Sequence, residues 1–150
     1  MPDIYSDCMK IRLYFPLVLM LAVMFIITSC SDTPGKKLLG KWQGSEATLK
    51  SGDSLFLNSA TFREGVNAHK HTFYTFKRDN TFTRSTDYKQ THRNISGTWT
   101  MGKDGKDLTM VIPENSSTNV VKLVELSSQK LVWITNYPFG ELSTTFIKVR

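Results

Sequence analysis

The chain has 150 residues, with 19 lysines and arginines against 13 acidic residues for a net charge of +6, and 40% of it is hydrophobic. That length suits a single core in a single domain. The only cysteines are Cys8 and Cys30, both ahead of the part that reads as folded, so disulfide bridges, cysteine-based zinc sites and a cysteine nucleophile are excluded from that part.

Lys10 and Arg12 precede an apolar run over residues 13–27 that is broken only by Pro16. A basic flank, a short apolar core and small residues before a cut are the layout of a secretory signal peptide. The core is about 15 residues, short of the roughly 20 a membrane-spanning helix needs, so a single-pass anchor is the lesser reading. Ile27-Thr28-Ser29-Cys30 closes the run and resembles the lipobox of bacterial lipoproteins. The resemblance implies cleavage before Cys30, a diacylglyceryl group on its sulfur and acylation of the new amine. Two or more chains anchor a protein stably where one does not. Cys30 is thus the expected lipid attachment residue and the membrane an expected partner. Met9 is a better start for such a signal than Met1, because Asp3 and Asp7 do not belong in a basic flank.

Residues 1–29 are therefore read as signal peptide, 30–37 as lipidated tether and 38–150 as the folded domain. Ser31 stands where an aspartate would signal inner-membrane retention, and Asp32 followed by two lysines is not an acidic export run. The expected address is the cell envelope of a Gram-negative bacterium, at the periplasmic face of the outer membrane.

After residue 40 no helical pattern of useful length is evident. Leu38 to Trp42 reads as one helical turn leading into a first strand at 41–49. A turn at 51–54 precedes an irregular strand at 55–62, and 63–70 reads as a polar loop. Strands follow at 72–77 and 81–86 across the turn Arg78-Asp79-Asn80. Residues 89–94 read as a loop. The most regular stretch is 95–112. Ile95, Gly97, Trp99 and Met101 share one face, Leu108, Met110 and Ile112 continue it, and Gly102-Lys103-Asp104-Gly105 supplies the turn. Period-two alternation marks a sheet with one buried face, and such turn residues tolerate the positive φ a hairpin needs. A loop at 113–117, strands at 119–126 and 130–137, and a last strand at 142–149 complete the chain. The fold class is all-β: about eight or nine antiparallel strands in an up-and-down meander, with a short helical turn at its start. Closing such a meander into a barrel removes its two edges.

Leu39-Gly40-Lys41-Trp42 resembles the Gly-x-Trp motif that opens lipocalins. The segment from Tyr74 through Asn80 to Phe82, followed by Ser96-Gly97-Thr98-Trp99, is similar to the pattern of lipocalin-like bacterial lipoproteins, as is the hairpin over 122–132. Asn80 replaces the glycine usual in that turn, and asparagine tolerates the left-handed region. The resemblance covers about residues 38–149. It implies a small calycin-type barrel with an apolar interior, with Gly40 and Trp42 as its structural motif and Trp42 plugging the closed end. The later arginine that usually stacks on that tryptophan is not found; Arg150, at the extreme end, is a poor substitute. The chain is also short for a full lipocalin, so the interior is expected to hold a small cavity or none.

The candidate lining of a ligand cavity is Phe73, Tyr74, Phe76, Phe82, Trp99, Met101, Met110 and Trp133, with plain core packing as the simpler reading. His69, His71 and His92 have the residue type for a zinc site, but surface histidines flanking a loop are the simpler reading and no metal is assigned. Residues 63–93 hold seven basic side chains, Arg84 among them, against three acidic ones. They form either a rim attractive to anions or a solvated outer face. No catalytic residue is assigned: the glutamates are scattered rather than paired, and neither a nucleophile elbow nor a phosphate loop is present. No cofactor is implied and no nucleic-acid motif appears. Two readings follow. One is a lipid-anchored barrel that binds a small apolar or amphipathic molecule. The other is an envelope accessory subunit or inhibitor whose filled barrel docks on a protein partner. The volume of the interior separates them.

Overall fold

The structure, a computed structural model, describes residues 33–52, 59–138 and 140–150. The signal-peptide reading, Cys30, the start of the tether, the second half of the turn expected at 51–54, the first part of the irregular strand and Phe139 lie outside the described residues, while Ser51 and Gly52 of that turn continue the first strand.

Eight strands form one closed antiparallel barrel in sequential order. They are β1 (Gly40–Gly52), β2 (Thr72–Phe76), β3 (Thr81–Tyr88), β4 (Thr91–Met101), β5 (Asp107–Ile112), β6 (Ser117–Leu126), β7 (Lys130–Tyr137) and β8 (Gly140–Val149). A short helix α1 (Pro34–Leu38) precedes β1, a longer helix α2 (Ala60–Lys70) lies between β1 and β2, and one 3-10 turn (Pro113–Asn115) joins β5 to β6. Closure is made by β8 lying beside β1, from Lys41 opposite Val149 to Gly52 opposite Gly140.

The central hairpin stands as its alternation predicts. Trp99 pairs with Met110 and Met101 with Leu108, and Ile95, Trp99, Leu108, Met110 and Ile112 are buried. Asn80 adopts φ +60°, so the Arg78-Asp79-Asn80 turn holds without glycine. Its carbonyl accepts the Trp99 N–H at 2.8 Å, and the Thr81 carbonyl accepts the Trp99 indole N–H at 3.1 Å.

Several expectations are corrected. Residues 60–70, expected as the end of a strand and a polar loop, are α2. Ser59 caps it, its hydroxyl accepting the Phe62 N–H at 3.1 Å, which satisfies one of the unpaired amides at a helix start. Its apolar side is only Phe62, Val66 and the ring of His69, spaced four and three apart, so the segment's polar composition hid it. The loop expected at 89–94 is a two-residue turn, because Lys89 takes φ +57° and β4 begins at Thr91. The helical turn begins at Pro34 inside the expected tether rather than at Leu38. Proline at the start of a helix loses no hydrogen bond there and brings a suitable φ. Among the described residues the strands number eight, and residues 60–62 of the expected irregular strand are helical.

Trp42 is fully buried beneath α1, and its indole N–H donates to the Leu38 carbonyl at 2.7 Å. The cation over its ring is not Arg150 but Lys148, whose Nζ sits 4.7 Å from the ring centre and donates to the Lys37 carbonyl at 3.1 Å. Pairing of β1 with β8 sets Lys148 opposite Trp42. Gly40 at φ +117° makes the bend from α1 into β1 that brings this about.

Candidate functional site

The α1 end of the barrel is filled. Phe76 packs edge-on against Trp99 with ring centres 6.0 Å apart, and Leu38 and Trp42 close that end. The other half holds an open cavity of about 460 Å³. Strand parity decides which side chains enter it. On β2, Tyr74 faces in while Phe73, its neighbour, faces out beneath the Lys41 ammonium at 4.6 Å; Phe73 is therefore not a lining residue. Of the other expected residues, Tyr74, Phe82, Met110 and Trp133 line the cavity. Phe76, Trp99 and Met101 lie toward the filled end and serve as core.

Tyr74, Trp133 and Phe146 form the aromatic side of the cavity. The Tyr74 ring meets Trp133 edge-on at 5.2 Å and Phe146 edge-on at 5.5 Å, and Trp133 lies 4.3 Å from Phe146. Such edge geometries suit the aromatic quadrupole. Val121 and Ile112 extend the apolar wall, and Phe62 and Val66 of α2 complete it. Sequence reasoning missed this contribution from α2 altogether.

Polar side chains interrupt this wall, among them Arg84, Tyr74, Thr72, Thr86, Asn119 and Thr144. Arg84 lies directly opposite Tyr74 across β2 and β3 and lines the cavity with Phe82 and Thr86, the three sharing one strand face. Counting alternate residues from Phe82 would have found it, whereas the basic stretch alone assigned it to a rim or outer surface. Burial pushes the Tyr74 hydroxyl above its usual pKa, with the Arg84 guanidinium pulling weakly the other way, so Tyr74 is a neutral phenol at physiological pH. The Thr72 hydroxyl donates to the Ala68 carbonyl at 3.0 Å and lies 2.9 Å from the Thr86 hydroxyl. The Thr144 hydroxyl is buried on the cavity wall with no hydrogen-bond partner.

The three histidines do not converge. His69 stands edge-on to Phe146 at 4.7 Å, with Nε2 3.2 Å from the Thr145 carbonyl. Burial holds its pKa below the usual value, against the opposing pull of the Thr145 and Glu46 carbonyls. His71 stacks on Tyr88 at 5.3 Å. His92 Nδ1 faces Asp87 at 3.0 Å on the exterior. No group of three or more potential metal ligands occurs among the described residues.

The end of α2 is pressed onto the barrel. The Gln43 amide donates to the Lys70 carbonyl at 3.2 Å, and Gly44 lies so close that a methyl group there would stand 2.0 Å from the His69 carbonyl oxygen. Nearer its start, Glu64 accepts from the Lys89 ammonium at 2.7 Å and from the Tyr88 hydroxyl at 3.0 Å. These contacts hold α2 beside the cavity.

A DUF4847 family protein from Bacteroides vulgatus shares 16% identity at a TM-score of 0.47, covering 72% of this chain and 91% of its own. The odorant-binding protein of bovine nasal mucosa shares 24% identity at a TM-score of 0.42, covering 76% of this chain and 72% of its own. No curated protein matches. The profile of the lipocalin-like domain matches residues 38–133, which include the Gly40-x-Trp42 opening, the Asn80 turn and the central hairpin, and the chain belongs to that lipocalin-like family.

Proposed function

We propose that this protein is a lipid-anchored binding protein of the cell envelope that holds a small apolar or amphipathic molecule inside its barrel. The cavity carries the reading. Its volume, about 460 Å³, falls within the about 300–1,000 Å³ of small-molecule sites, and its mostly apolar wall with a few polar groups is the usual composition of such sites. The competing reading, a filled barrel that only docks on a partner, calls for an interior without this space. The protein is read as a binder rather than an enzyme because the lining groups suit holding and orienting, and His69 directs its ring at backbone carbonyls. Anchoring through Cys30 and residence at the periplasmic face of the outer membrane rest on the lipobox resemblance.

Native mass spectrometry of the purified protein, compared with the same sample denatured, tests the binding. An added mass seen only under native conditions, and lost when Ala47→Trp fills the cavity, supports it. A bare polypeptide mass that takes up neither lipid nor hydrophobic dye overturns it. Anchoring is tested separately by Cys30→Ala, which should release the protein from membranes and remove the mass of its acyl chains.

A further inference from the structure

The cavity is apolar on most of its wall yet carries one permanently charged side chain. Arg84 faces inward because it is two residues from Phe82 on β3, and the register of β2 and β3 sets it opposite Tyr74. Directly opposed residues on one sheet face stand about 5 Å apart at Cβ. The guanidinium reaches the Tyr74 hydroxyl. An arginine can only donate, so the Tyr74 oxygen accepts from it and the phenolic proton is left for another acceptor. None of the ion pairs among the described residues includes Arg84, and the cavity wall holds no carboxylate. The Thr144 hydroxyl, buried on the same wall, has no hydrogen-bond partner among the described residues.

Arg84 is half-buried, so its charge gives up part of its hydration, and such a loss is offset by an opposite charge or good hydrogen bonds. Here the neutral Tyr74 phenol stands beside the guanidinium, and the rest of the wall offers only uncharged groups such as Asn119, Thr135 and Tyr137. We propose that the remaining partner is the ligand: the cavity takes a single-chain amphiphile with an anionic head, a carboxylate or a phosphate monoester. The head lies against the Arg84 guanidinium and the Tyr74 hydroxyl, and the aliphatic tail runs among Phe82, Met110, Val121, Trp133 and Phe146. The planar fork of arginine suits both head groups, because each offers two oxygens side by side. This inference rests on the proposed binding function and names the chemistry of its ligand.

Calorimetric titration of the purified full chain with dodecanoate, dodecyl phosphate and dodecanol tests it, since the three share one tail. Charge-assisted hydrogen bonds predict that at least one anion binds about ten- to a hundredfold tighter than the alcohol. Whether dodecanoate or dodecyl phosphate binds more tightly identifies the head. Arg84→Gln should erase that preference, bringing both anions to the affinity of dodecanol. Arg84→Lys should keep part of it, and Tyr74→Phe should reduce it by a smaller factor. If dodecanol binds the unaltered protein as tightly as both anions, or Arg84→Gln weakens all three probes equally, the anionic head is wrong while the carrier reading stands. If none of the three binds, the carrier reading falls and this inference falls with it. Should Arg84→Gln fail to fold by circular dichroism, the three-probe comparison on the unaltered protein still decides.

Discussion

Gly44→Ala is the sharpest single test of how α2 is held. Gly44 lies on β1 opposite Phe146, and the added methyl would stand 2.0 Å from the His69 carbonyl oxygen and 2.9 Å from its carbon. Backbone atoms cannot swing aside as a side chain does. Either the barrel absorbs the overlap, at the about 1–3 kcal/mol typical of overpacking, or the end of α2 lifts away. Lifting would weaken the Gln43 bond to Lys70 and the His69 bond to Thr145, each about 0.5–1.5 kcal/mol. The two routes cost about the same, so a net loss of roughly 2 kcal/mol is expected. For a barrel of this size that lowers Tm by roughly 5–10 °C. Amide hydrogen exchange separates the routes from a general loosening. Residues 60–70 should lose protection while β4 and β5, remote from the contact, keep theirs. Unchanged Tm with unchanged exchange in α2 would refute the close approach. Equal loss of protection around the whole barrel would refute the idea that α2 is a separately held element.

Three further expectations concern His69 on α2 and the Trp42–Lys148 pair at the filled end. His69 titrates below its ordinary value of 6.5 because it is buried. Between the folded and unfolded pKa values the unfolded chain therefore binds more protons, so stability is complete above about pH 6.5 and is lost as pH falls from there through the lower folded pKa. Urea midpoints measured from pH 8 to 5 should fall over that window, and His69→Phe should flatten that fall. Trp42→Phe removes the donor to the buried Leu38 carbonyl and leaves space at the filled end. The loss is about 2–4 kcal/mol by denaturant titration, whereas Lys148→Met, which removes the cation over the ring, costs only about 0.5–1 kcal/mol.

How much of this was legible in the chain depends on whether the cause was local. Alternation in 95–112 follows from the pleat, which turns successive side chains to opposite faces, and the hairpin stands where that pattern put it. The Asn80 turn was legible for the same reason, since a left-handed φ is tolerated by one residue acting alone. Alternation also decides the placement of Phe73 and Arg84. Phe73 and Tyr74 are consecutive and cannot both face inward, and Arg84 shares the face of Phe82. In both cases strand parity, not aromaticity or charge, sets the face.

What only the tertiary structure decided arose from contacts distant in sequence. The Lys148 ammonium reaches Trp42 because β8 closes on β1, and no local pattern pairs residues so far apart. Helix α2 has a cap at Ser59 but a narrow apolar side. A short helix with little apolar surface is marginal in water and depends on packing for its stability; the barrel beside it supplies that packing. The cavity arises in the same way. Phe76 and Trp99 fill one half, while Tyr74, Trp133 and Phe146 surround space in the other. Residue types alone do not distinguish an aromatic that fills a core from one that borders a void, because the difference lies in how strands, register and helix meet around it.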